Sequence, residues 1–138
     1  MRKVVLFSSV LFILVSMSSC KKLLGLDPES LLAKDVWQGD ELVIKSNGQE
    51  YSFDISDTEL EFDKKTHRYY AYDDGELEDE GDWSYDKKNE TLTIDSDDAD
   101  AVEYDVLELT KTKLTLEFKD DVNNDGTLET FTFYFERN

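Results

Sequence analysis

From Trp37 to its end, the chain alternates apolar and polar residues with a period of two. Successive side chains of an extended strand point to opposite faces, so the pattern calls for strands with one buried face. Trp37, Leu42 and Ile44 lie in the first such run. Tyr51, Phe53 and Ile55 follow, then Leu60 and Phe62, an aromatic-rich stretch over 67–72, and Gly81, Trp83 and Tyr85 on one face. Leu92 and Ile94, then Val102, Tyr104 and Val106, then Leu114, Leu116 and Phe118 continue it, and Phe131, Phe133 and Phe135 close it. Leu107 and Leu109 take the opposite phase, which predicts a bulge or sharp bend near Val106.

Turn chemistry separates the runs. Asn47-Gly48, Asp74-Gly75 and Asp125-Gly126 are hairpin dipeptides, whose residues tolerate positive φ at low cost. Asp63-Lys64-Lys65-Thr66, Asp86-Lys87-Lys88-Asn89 and Thr110-Lys111-Thr112-Lys113 are polar turn tetrads, and 95–100 is an acidic loop. Consecutive short strands joined by short turns describe an all-β fold, a small antiparallel up-and-down barrel of about eight strands that buries one face and leaves no free edge. A two-sheet sandwich is the alternative. The one helical signal is Asp27-Pro28-Glu29-Ser30-Leu31-Leu32, with Asp27 placed to cap, Pro28 at the first helical position and Glu29 at the positive end of the dipole.

The N-terminus is of another kind. Arg2 and Lys3 precede an apolar stretch over 4–15 that is too short to span a bilayer, which takes ~20 residues. Ser16, Met17, Ser18 and Ser19 then lead into Cys20, the chain's single cysteine. This reads as a secretion signal over 1–19 with lipid attached at Cys20, followed by a tether and helical turn over 20–34 and a barrel domain over 35–138. One acyl chain anchors only marginally, and the two or three of a bacterial lipoprotein hold permanently. Lys21 and Lys22 follow the cysteine, with no Asp at the next position and no acidic run. By resemblance to known sorting rules, this places the protein on the outer membrane facing the periplasm, with the cell surface as alternative.

Charge narrows the partners. The 138 residues hold 15 Lys and Arg against 33 Asp and Glu, a net charge of −18, which becomes −20 once the first nineteen residues are removed. That sign excludes nucleic acid, whose binding rests on cations neutralising phosphates. High charge also marks disordered chains, but 8 Phe, 7 Tyr and 2 Trp in alternating runs oppose that reading here.

From Val36 onward, the chain resembles the lipocalin-like lipoproteins common in Bacteroidetes. Trp37 opens the first strand after a helical turn, and Gly81-Asp82-Trp83-Ser84-Tyr85 resembles that family's mid-chain strand. Thr91-Leu92-Thr93-Ile94 follows one turn later, and Tyr104 to Leu109 pairs with Leu114-Thr115-Leu116. Asp35 departs from lipocalins proper, which carry glycine two residues before the tryptophan. The resemblance implies a barrel in the cell envelope and a binding role.

Three groups of residues are candidate sites. Asp121, Asn123, Asp125, Thr127 and Glu129 put oxygens at alternate places around Gly126, like the opening of an EF-hand calcium loop. The twelfth place is Thr132 instead of Glu, and the alternative is a polar hairpin turn. The acidic run over 73–82 is a cation-gathering surface or a solvated hairpin tip. Trp37, Tyr51, Phe53, Trp83, Tyr85, Phe131 and Phe133 line an apolar pocket or fill a core. His67 is the only histidine, so Ser-His and multi-His constellations lack parts and no enzyme is expected. No cofactor is expected beyond calcium. The leading functional expectation is a lipid-anchored envelope module for a small apolar or amphiphilic ligand. The alternative is an interaction subunit that binds an envelope protein or glycan by its surface.

Overall fold

The computed structural model describes residues 27–138. The expected signal stretch and the expected lipidation site, Cys20, lie outside the described residues. A short helix, α1 (Pro28–Ala33), precedes nine strands. They are β1 (Trp37–Ser46), β2 (Gln49–Asp54), β3 (Thr58–Phe62), β4 (Arg68–Asp73), β5 (Glu76–Asp86), β6 (Thr91–Ser96), β7 (Val102–Leu109), β8 (Lys113–Asp120) and β9 (Glu129–Glu136). All pairings are antiparallel between sequence neighbours, apart from β1 with β3 and the closure of β9 onto β1. The result is the expected up-and-down barrel of eight strands, with β2 as an extra one.

The physical origin of that extra strand is a defect in β1. The ladder between β1 and β9 shifts register between Gly39 and Glu41. At Gly39 any Cβ would run into the carbonyl oxygen of Ile55, so only glycine admits so close an approach. Ile55 donates its N–H to Asp40 O at 3.3 Å, and the Gln38 amide donates to the carbonyls of Ser56 and Thr58. The chain therefore steps off β1 after β2 and returns as β3, which alone continues to β4. β2 pairs only with β1, and all six of its residues are exposed. The expectation that closure leaves no free edge is corrected at this strand.

Two turn dipeptides form as their residues require: φ is +52° and +76° at Asn47-Gly48, and +49° and +79° at Asp74-Gly75. In the tetrads, Asp63 and Asp86 accept the N–H groups of the residues two and three further on, and Thr110 does the same through its hydroxyl. The bulge after Val106 is present, as a register shift between Val106 and Glu108. Asp27 differs from expectation. Its side chain makes no capping bond to the helix and lies instead 3.2 Å from Lys64 and 3.0 Å from Lys87. Hydrogen bonding, from Lys87 most of all and then Lys64, holds its carboxyl below the usual range.

One end of the barrel is sealed. Leu31 and Leu32 of α1 pack with Trp37, Phe62, Trp83, Leu109 and Leu114. The two indole N–H groups are satisfied by backbone, Trp37 to Leu32 O at 3.0 Å and Trp83 to Asp63 O at 3.1 Å. Burying a large apolar side chain is worth about 1.5–3 kcal/mol, so this plug is a principal source of stability. Among the described residues, helix, closed sheet and core cluster share one hydrophobic core, the property that lets a domain fold alone.

Candidate functional site

The opposite end is open. Above the plug lies a cavity of about 190 Å³, lined by Ile55, Thr58, Leu60, Tyr69, Ala71, Asp79, Ile94, Tyr104, Leu116, Phe133 and Phe135. An apolar cavity of ~150 Å³ accommodates benzene, so this one has room for a ring with a short arm.

The register extends the apolar lining beyond the cavity. Residues directly opposite on antiparallel strands share a face. Phe53, Leu42, Phe133 and Leu116 form one such row across β2, β1, β9 and β8. Tyr51, Ile44, Phe131 and Phe118 form the next. Phe133 belongs to the cavity, so both rows continue its inner face outward as a wall. Phe118 stacks on Phe131 at 4.7 Å and meets Tyr104 edge-on at 5.3 Å. At the β2 end the wall is open to water, with Tyr51 48% and Phe53 50% exposed.

Of the seven residues expected to line a pocket, Phe133 does so. Trp37 and Trp83 sit in the sealed plug, with Tyr85 packed against that core. Phe131, Tyr51 and Phe53 lie on the wall outside the cavity. Period-two reading places all of these inward, yet it cannot tell one end of a barrel from the other.

Asp79 was legible only as part of an acidic run. The β4–β5 ladder shifts register between Ala71 and Tyr72, and Asp79 stands opposite the cavity residue Ala71. Its carboxylate accepts the Tyr69 hydroxyl at 2.7 Å and the Ser96 hydroxyl at 2.6 Å. Burial, with the Asp79 hydrogen bond second, pushes the Tyr69 phenol above its ordinary range, and burial does the same at Tyr104. Two-residue spacing back from Trp83 and Gly81 lands on Asp79, so its inward phase was in principle readable. Its neighbours Asp82 and Glu80 face Arg68 on the outer surface instead. Arg68 grips both Asp97 carboxylate oxygens, at 2.9 and 2.6 Å, which lowers the Asp97 pKa and pins the acidic 95–100 loop.

Charge is distributed unevenly between the ends. The open-end segments 46–50, 54–58, 73–76, 95–101 and 119–129 are densely acidic and carry one Lys or Arg, Lys119. Lys64, Lys65, Lys87, Lys88, Lys111 and Lys113 lie in or beside the turns at the sealed end.

The β8–β9 loop is at the open end too. Carboxylate oxygens of Asp121, Asp125 and Glu129 lie within 4.8 Å of one another, and Glu129 is buried. Asp121 accepts the N–H groups of Asp125 and Gly126, Asn123 that of Asp125, Asp125 that of Thr127, and Glu129 that of Val122. The loop thus brings together the three carboxylates among the five residues expected around a cation. Asn123, like those carboxylates, accepts a backbone N–H, that of Asp125.

A family model described as a lipocalin-like domain matches residues 34–116, more than half of the chain. No curated protein matches. Among solved structures, apocrustacyanin C1 is 21% identical with a TM-score of 0.49, over 81% of this chain and 63% of that one. Lobster apocrustacyanin A1 is 21% identical with a TM-score of 0.47, over 79% of this chain and 62% of that one. The chain thus spans less than two thirds of the length of either.

Proposed function

This chain belongs to the lipocalin-like domain family, and on that premise we propose that it is a lipid-anchored binding module that takes up a small apolar or amphiphilic ligand. The observation that carries the reading is the 190 Å³ cavity and its continuity, through Phe133, with a half-exposed aromatic wall. Ligand sites are concave and mostly apolar with a few polar groups, and Tyr69, Asp79 and Thr58 supply those here. The neutral dye N-phenyl-1-naphthylamine tests this, with one ring in the cavity and the rest along the adjoining aromatic wall: its fluorescence rises on binding, and Ala71→Phe, which fills the cavity, removes the rise. A rise that survives Ala71→Phe overturns cavity binding.

The second reading is an interaction subunit. The free edge of β2 and the exposed Tyr51 and Phe53 favour it, because an unpaired edge with aromatic side chains is a template for another chain. Dye binding lost in Tyr51→Ser/Phe53→Ser but kept in Ala71→Phe supports this alternative.

The anchor is Cys20, with an outer-membrane position facing the periplasm. The sealed end carries α1, where the chain arrives from the cysteine, and most of the turn lysines. The acidic mouth at the other end would point away from an anionic lipid surface. Labelled fatty acid should mark the wild type and be lost in Cys20→Ser; undiminished labelling of that variant overturns the anchor.

A further inference from the structure

We propose that the cavity selects amines: its ligand is a compact apolar body, such as a single ring, bearing a protonated amino group that lies against Asp79. The inference rests on reading the cavity as a ligand site and adds the chemistry of what enters it.

Three observations carry it. Asp79 is the one charged residue among those lining the cavity. A carboxylate has about four acceptor positions, and two are taken by the Tyr69 and Ser96 hydroxyls, at 2.7 and 2.6 Å. No Lys, Arg or His among the described residues lies within ion-pair distance of it. Arg68, on the neighbouring strand, is engaged outside the barrel by Asp97 and Asp82. The cavity therefore offers a partly buried anion that is held in place by neutral donors and lacks a counter-charge.

The walls fit the same ligand. Tyr69, Tyr104, Phe133 and Phe135 present aromatic rings to the cavity, and ring faces attract cations. The mouth segments carry a concentrated negative field, which draws cations and repels carboxylates. A fatty-acid head group would meet Asp79 as a like charge with nothing to neutralise it.

The test uses the soluble chain from Lys21 onward and three probes of nearly one shape: 2-phenylethylamine, 2-phenylethanol and phenylacetate. Calorimetric titration at pH 7 and low salt should give affinities in that order. The amine should bind at least tenfold tighter than the alcohol, and phenylacetate should not bind measurably. Asp79→Asn should bring the amine to the alcohol's affinity and leave the alcohol within twofold. Where Asp79→Asn does not fold, the order of the three probes on the wild type decides alone. Equal binding of amine and alcohol, or binding of phenylacetate, overturns the amine preference and leaves cavity binding standing. Absence of binding by all three probes and by the neutral dye overturns the ligand-site reading itself.

Discussion

The Arg137 guanidinium lies 3.8 Å over the ring of Trp37, so a residue just after the last strand covers the residue that opens the first. Arg137 is 9% exposed, and it donates to Lys111 O at 2.7 Å and to Asp35 O at 3.3 Å. It thereby ties three segments at the sealed end. Burial lowers its pKa, so these bonds offset a real desolvation cost. Arg137→Ala should cost about 2–4 kcal/mol, from charged hydrogen bonds and the cation–π contact together. Arg137→Lys should recover only part, because an ammonium lacks the planar fork. Urea unfolding measures both; a loss below about 0.5 kcal/mol in the alanine variant would show that the contact does not hold the barrel shut.

Gly81 is required by packing. A Cβ there would strike the backbone of Asp95 and Ser96 on β6. Gly81→Ala should therefore destabilise by up to about 3 kcal/mol, although alanine is the smallest addition available. Gly48→Ala, in a turn with open space around it, should cost less and through φ alone. Comparing the two melting curves separates steric from torsional cost.

The alkaline limb should report the cavity. Burial raises the pKa of Tyr69 and Tyr104 in the fold above the ordinary value of about 10. A group whose neutral form the fold prefers binds more protons in the native than in the unfolded state above that pH. Stability should then be unaffected by these tyrosines below pH ~10 and fall above it. Absorbance at 295 nm should show some tyrosines ionising only as the protein unfolds. Complete titration of all seven in a still-folded protein would contradict the burial.

Acidic crowding gives a prediction about ions. Packing brings the negative charges of this chain together, and sodium chloride should raise the melting temperature gradually by screening. Millimolar calcium is expected to raise it further at matched ionic strength, because Asp121, Asp125 and Glu129 hold three carboxylates within 4.8 Å. Asp125→Ala should remove that increment. Equal melting in the two salts would leave the β8–β9 loop a solvated turn.

Period-two alternation, the Asn-Gly and Asp-Gly turns and the phase change after Val106 were enough to determine consecutive antiparallel strands with one buried face, because side-chain direction in a strand and positive φ in a turn are local properties. Closure into a barrel instead of a sandwich was decided by the pairing of β9 with β1. The acidic character was equally plain. Which inward residues make the plug and which make the cavity was decided only in three dimensions. Trp37 and Phe133 carry the same local signal, yet α1 packs on one and the other faces open space. The role of Asp79 was hidden for a related reason. Its charge suggested solvent although it shares the phase of Gly81 and Trp83, and only the fold brings the hydroxyls of Tyr69 and Ser96 from other strands to hold it at the cavity. The free edge of β2 depends on where a bulge in β1 meets the chain fifteen residues later, a non-local fact that no window of sequence contains.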